Sequence, residues 1–85
     1  DYDKVLFIIS DKSEEIRSKI INDLNRGGTL LKGEGLYSKN DKSIVFTVVN
    51  RRETVMLQDY INGIDPNAFV TVMNANEILG NGFNG

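Results

Sequence analysis

The spacing of apolar residues switches back and forth along this chain, and each switch marks an element. Val5 to Ser10 is a continuous β-branched and aromatic run, which predicts a buried strand. Ser10-Asp11-Lys12-Ser13 then offers helix N-caps, with Glu14 and Glu15 in the first turn where the helix dipole favours acids. Ile16, Ile20, Ile21 and Leu24 follow helical spacing, Glu15 and Lys19 form an i,i+4 pair, and Gly27-Gly28 ends the helix. Thr29 to Tyr37 predicts a second strand weakened by Gly33 and Gly35. Ser38 to Lys42 predicts a polar hairpin loop centred on Asn40-Asp41, and Ser43 to Val49 a third strand. Asn50 and Glu53 have the spacing of a capping box, and Val55, Met56, Leu57, Tyr60, Ile61 and Ile64 form the apolar stripe of a second helix. Gly63 lies near its end, and Asp65-Pro66-Asn67 is turn chemistry. Ala68 to Met73 predicts the fourth strand. The expected organisation is one domain over residues 1–74 and a polar tail over 75–85 that packs back on the domain or on a neighbouring subunit.

The order β-α-β-β-α-β is the split βαβ, or ferredoxin-like, arrangement. It predicts an α+β fold, a four-stranded antiparallel or mixed sheet with the first and third strands central and both helices on one face. Helices cover one face only, yet both central strands are apolar on both sides. Val5, Phe7, Ile9, Ile44, Phe46 and Val48 alternate with Leu6, Ile8, Val45 and Val49. An apolar face of that size usually marks an interface. The expected interface set is Leu6, Ile8, Val45, Val49, Val70, Val72 and Phe83, joining copies into a dimer or trimer.

Composition narrows the chemistry. With 85 residues, 10 Lys+Arg against 12 Asp+Glu and a formal net charge of −2, the chain carries no basic footprint for nucleic acid. Cys and His are both absent, which removes thiolate and imidazole metal sites, Ser-His-Asp triads and disulfides. Neither a metal nor an organic cofactor is expected. Glu34, Glu53, Asp65 and Glu77 are scattered rather than paired for acid/base work, so the chain reads as a non-enzyme. The longest apolar run, Val5 to Ile9, is too short to span a bilayer.

Two strings remain that can bind something. Arg51 and Arg52 stand at the start of the second helix, where free N–H groups and two guanidinium forks suit a phosphate, although cations oppose the dipole there. Lys32, Gly33, Gly35 and Tyr37 lie on a glycine-interrupted strand. Lys32 offers charge and Tyr37 a stacking face, while the glycines equally fit a bulge or a close backbone approach. The candidate anion site is therefore Arg51, Arg52, Lys32, Gly33, Gly35 and Tyr37.

Four strings in the right order also resemble a known family. Thr29-Leu30-Leu31-Lys32-Gly33-Glu34-Gly35-Leu36-Tyr37 resembles a T-x-L-x-G-x-G-x-Y segment, and Val49-Asn50-Arg51-Arg52-Glu53 a V-N-R-R-E junction. Ile64-Asp65-Pro66-Asn67-Ala68-Phe69-Val70-Thr71-Val72 resembles I-D-P-x-A-F-V-x-V, and Glu77 to Phe83 a closing E-V-x-G-x-G-F. Together they resemble the C-terminal domain of YitT-type bacterial membrane proteins, a domain of unknown function. The resemblance implies an N-terminal membrane portion of the parent chain as partner and a place on the cytoplasmic side of the bacterial membrane. It also implies a fold similar to the PII-like signalling proteins, ferredoxin-like subunits that oligomerise and bind small anionic effectors. The functional expectation is thus a non-catalytic regulatory module sensing a nucleotide or other phosphorylated effector. The alternative is an oligomerisation domain without a ligand.

Overall fold

A computed structural model describes residues 4–76. Its elements are β1 (Lys4–Ile9), α1 (Ser13–Ser18) continued by a π-helical turn (Lys19–Asp23), β2 (Thr29–Glu34), β3 (Asp41–Val49), α2 (Arg51–Ile64) and β4 (Phe69–Asn74). The strands form one four-stranded sheet in the order β2-β3-β1-β4, every pairing antiparallel. This is the α+β arrangement that the element order demands, with β1 and β3 central. No helix among the described residues is long and apolar enough to cross a membrane. Residues from Glu77 onward, Phe83 included, lie outside the described residues.

The two faces of the sheet follow from its register. Leu6 pairs with Thr47 and Val72, Ile8 with Val45 and Val70, and Val45 with Leu30. Cross-strand partners share a face, so these residues form one surface, and it is the one under the helices. Leu6, Ile8, Val45 and Val49 join Ile16, Ile20, Leu57 and Ile61 in a single buried cluster, with Leu24, Leu30, Tyr60, Ile64 and Val70 packed against it. Burial of each such side chain stabilises by about 1.5–3 kcal/mol.

This corrects the expected interface set. Leu6, Ile8, Val45 and Val49 are core residues, Val70 is half-buried against that core, and Val72, on the outer strand, is exposed. The face away from the helices belongs to the other phase of the same alternation: Val5, Phe7 and Ile9, Ile44, Phe46 and the buried Val48, Thr29 and Leu31, Phe69, Thr71 and Met73. Phe7 and Phe46 are directly paired, their ring centroids 5.0 Å apart. A two-residue period separates two faces without saying which one receives the helices.

Several local details also differ from the pattern. The first helix winds as α only to Ser18, and Leu24 then donates its N–H to the Lys19 carbonyl at 3.2 Å, five residues back. Asn25, in the left-handed region at φ 54°, closes the helix, and Arg26 donates its N–H to the Ile20 carbonyl. The Gly27-Gly28 pair serves another purpose. At Gly28 a side chain would begin 2.5 Å from the Phe46 carbonyl oxygen, so glycine lets the loop lie against β3. There the Thr47 hydroxyl, fully buried, donates to the Gly27 carbonyl at 2.7 Å. Lys19 pairs with Asp23 at 2.9 Å rather than with Glu15, and sits 4.9 Å from the centre of the Tyr60 ring.

The β2–β3 hairpin turns earlier than its polar loop indicates. Gly35 and Asn40 close it through a 2.9 Å backbone bond, with Lys39 at φ 61°. Leu36 and Tyr37 therefore stand at its tip, fully exposed, instead of ending a strand.

Candidate functional site

The sequence-predicted anion residues occupy two separate places. Arg51 and Arg52 are exposed at the first turn of α2, immediately after β3 ends at Val49. Lys32 and Gly33 pair with Ser43 and Lys42, near the other end of β3. From Ser43 to Val49 is about 20 Å at the rise of a strand. Gly35 and Tyr37 lie further away still, on the hairpin. One subunit therefore does not bring the two halves of the expected site together. The glycines have local explanations. A side chain at Gly33 would begin 3.0 Å from the Ile44 Cδ1, and one at Gly35 only 2.5 Å from the Ser38 hydroxyl. Regular pairing continues through both Gly33 and Glu34, so this stretch holds a close approach and not a bulge.

The start of α2 is built around Glu53. Asn50 accepts the Glu53 N–H at 2.8 Å, while its own N–H donates to the Glu53 carboxylate at 3.0 Å, which is the capping box expected from the spacing. Glu53 is buried, with 5% of the residue exposed. It accepts the Arg26 Nε–H on both oxygens at 3.0 Å. Arg26 thus ties the loop after the first helix to the cap of the second. Nothing in the local sequence pattern singles out this arginine. The signal for it was Glu53 itself, one helical period before Leu57 and two before Ile61. A carboxylate on an apolar stripe requires a cation.

Arg17 and Arg26 also border a cleft of about 450 Å³ lined by Ile20, Ile21, Asn25, Gly27, Gly28, Thr29, Leu30 and Val45. It lies between the π-helical turn and β2, on the helix side of the sheet. Its walls are mainly aliphatic. A second hollow of about 490 Å³ is polar and sits at the opposite end of the sheet, among Ser10, Asp11, Ser13, Asp41, Lys42, Ser43, Asp65 and Asn67. There the Ser10 hydroxyl donates to Asp65 at 2.6 Å and accepts the Lys12 N–H at 2.9 Å, and Asp65 also accepts the Asn67 N–H at 3.0 Å. The Ser10 hydroxyl, followed by the Asn67 and Asp11 N–H groups and the Lys12 charge, holds the Asp65 carboxyl below its ordinary value, against a smaller opposing effect of desolvation. Among the described residues no three or more Asp or Glu side chains converge as metal ligands.

Comparison with known proteins places this geometry in a family. Residues 26–80 match the family described as "Uncharacterized protein conserved in bacteria (DUF2179)". The Bacillus subtilis UPF0750 membrane protein YpjC is 47% identical over 76 residues, which are 89% of this chain and 26% of that protein. UPF0750 membrane protein YxkD of the same organism is 35% identical over 80 residues, 94% of this chain and 29% of its own length. The crystal structure of a DUF2179 protein from Eubacterium ventriosum superposes with a TM-score of 0.72 at 26% identity, covering 86% of this chain and all of that one. The chain spans roughly a quarter of the UPF0750 proteins it matches. As the four sequence strings had indicated, it belongs to the DUF2179 family, a domain carried by UPF0750 (YitT-type) membrane proteins.

Proposed function

We propose that this chain is a non-catalytic regulatory domain of a UPF0750-type membrane protein, on the cytoplasmic side of the membrane. In this reading its copies associate through the open face of the sheet and respond to a small anionic effector. One observation carries the proposal: the face away from the helices is largely apolar, with Thr29 and Thr71 at its two edges. Phe69 is 62% exposed, Met73 44% and Leu31 41%, with Val5, Phe7, Ile9, Ile44 and Phe46 half-buried between them. A patch of this kind on a small domain supports an interface.

Its size supports reversible association. Four strands of about six residues make a face of roughly 400 Å², from the strand spacing and rise. Stable interfaces bury about 800 Å² per partner. Tethering several copies to one membrane assembly raises their effective concentration and compensates for a modest contact. The lack of His and Cys in the sequence supports the non-catalytic part.

The test is light scattering of the 85-residue chain beside Phe69→Asp, a substitution on an exposed side chain. The expected result is an oligomer that dissociates with dilution and is monomeric in the variant, with unchanged circular dichroism. A wild-type chain that is monomeric at every concentration overturns the self-association. Oligomers unaffected by the variant move the interface off this face.

A further inference from the structure

We infer that the cleft between the π-helical turn and β2 is a binding site for a small amphipathic anion. Its ligand has an apolar body, about the size of two fused rings, and one carboxylate, sulfonate or phosphate group. The cleft falls within the lower range of ligand pockets, which run from about 300 to 1,000 Å³. Its floor and sides are Ile20, Ile21, Leu30 and Val45. The wide winding of the π turn sets two consecutive isoleucines to different tasks: Ile20 is 3% exposed, in the core, and Ile21 is 48% exposed. An aliphatic wall left open to water in a concave place gains from an apolar guest. Single π turns inside helices are also frequent at functional sites.

Charge selects the sign of that guest. Among the described residues, Arg17 and Arg26 are the ionisable side chains that line the cleft, and no acid lines it. The Arg26 charge is matched by the buried Glu53 carboxylate, which fixes the back of the loop. Arg17 is different. Among the described residues its one ion pair is a 3.8 Å approach to Glu14 in which both side chains are largely exposed. Such a pair is worth little, so the guanidinium turns toward a ligand at small cost. It then supplies a forked donor at the mouth of an apolar slot. The cleft is on the helix side and the proposed self-association uses the opposite face, so the two are separable. The inference rests on the regulatory reading only for the purpose of the site, as the place where the effector acts.

The experiment is titration of the isotopically labelled 85-residue chain with 1-anilinonaphthalene-8-sulfonate, an apolar two-ring body bearing one sulfonate. Binding is followed by amide chemical shifts and by fluorescence, on wild type, Arg17→Gln, Ile21→Glu and Phe69→Asp. The expected shifts cluster at Ile20, Ile21, Asn25, Gly28 and Leu30. Affinity is expected to fall about tenfold in Arg17→Gln, the loss of one charged hydrogen bond, and below detection in Ile21→Glu. Phe69→Asp keeps the dye, whether or not the chain self-associates. Shifts confined to Phe7, Ile44, Phe46 and Phe69 overturn the inference, as do unchanged affinities in Arg17→Gln and Ile21→Glu. Retention of native amide dispersion in the two cleft variants excludes unfolding as the cause of lost binding.

Discussion

Leu6 and Phe7 are neighbours in one strand, and they live in different environments. Leu6 has no exposed surface and touches the core beneath the helices, whereas Phe7 is half-buried on the open face against Phe46. The same contrast runs the width of the sheet, from Leu30 and Leu31 on β2 to Val70 and Phe69 on β4. Both faces are apolar, but only one is completed by this chain's helices. Hydrophobicity therefore has two roles in this domain. On the covered face it supplies folding energy, and on the open face we propose that it serves association.

The sharpest test of that contrast is truncation of the two neighbours. Leu6→Ala should destabilise by about 2–5 kcal/mol through lost burial and a residual cavity. Phe7→Ala should cost less in the monomer, because part of its surface is already in water and its loss leaves no enclosed cavity. Urea unfolding at low concentration reads both, and equal costs would mean that the open face is as enclosed as the covered one.

A second test stays on the covered side. Glu53→Gln removes the charge opposite a largely buried Arg26 and weakens the box that begins α2. Breaking a buried pair from one side costs about 3 kcal/mol. Arg51→Gln, two residues away and exposed, should change stability by less than about 0.5 kcal/mol in the same assay.

The smallest effect belongs to the rim of the sheet. Asp65 has its carboxyl held below the ordinary value by the Ser10 hydroxyl. Its ionised form is thus favoured by folding. That contribution is present above the unfolded value, near pH 4, and is lost as pH falls through the lower folded value. Ser10→Ala should lower stability slightly at neutral pH, flatten the acid limb below about pH 4, and bring the variant together with wild type once Asp65 is protonated in both states. A parallel acid limb in the variant would remove the hydroxyl as the cause.

Much of this was legible from residue order. The capping box at Asn50 and Glu53 is local, so three-residue spacing revealed it. The turn at Asp65-Pro66-Asn67 and the centrality of β1 and β3 were equally plain. The hairpin tip was less so, because Gly35 closes the turn five residues before Asn40 and carries Leu36 and Tyr37 out with it. The glycines before β2 marked an approach to the β3 backbone, which no neighbour in sequence discloses. Arg26 escaped notice for the same reason: its partner is 27 residues away. The anion residues read from the sequence were individually sound as exposed cations, but a 9-residue strand holds Arg51 away from Lys32.

By itself the sequence determined the α+β element order, the ends of α2, the apolar character of both sheet faces and the family. Those properties are set by local propensity, capping and spacing, each acting over a few residues. Only the tertiary structure decided which face the helices cover, that Glu53 is neutralised by Arg26, and that Arg17, Ile21 and Leu30 border one cleft. A two-residue alternation is symmetric between its phases. The choice between them is made when the crossover helices pack, by contacts between residues distant in sequence, and it fixes at once which face is core and which faces away from the helices.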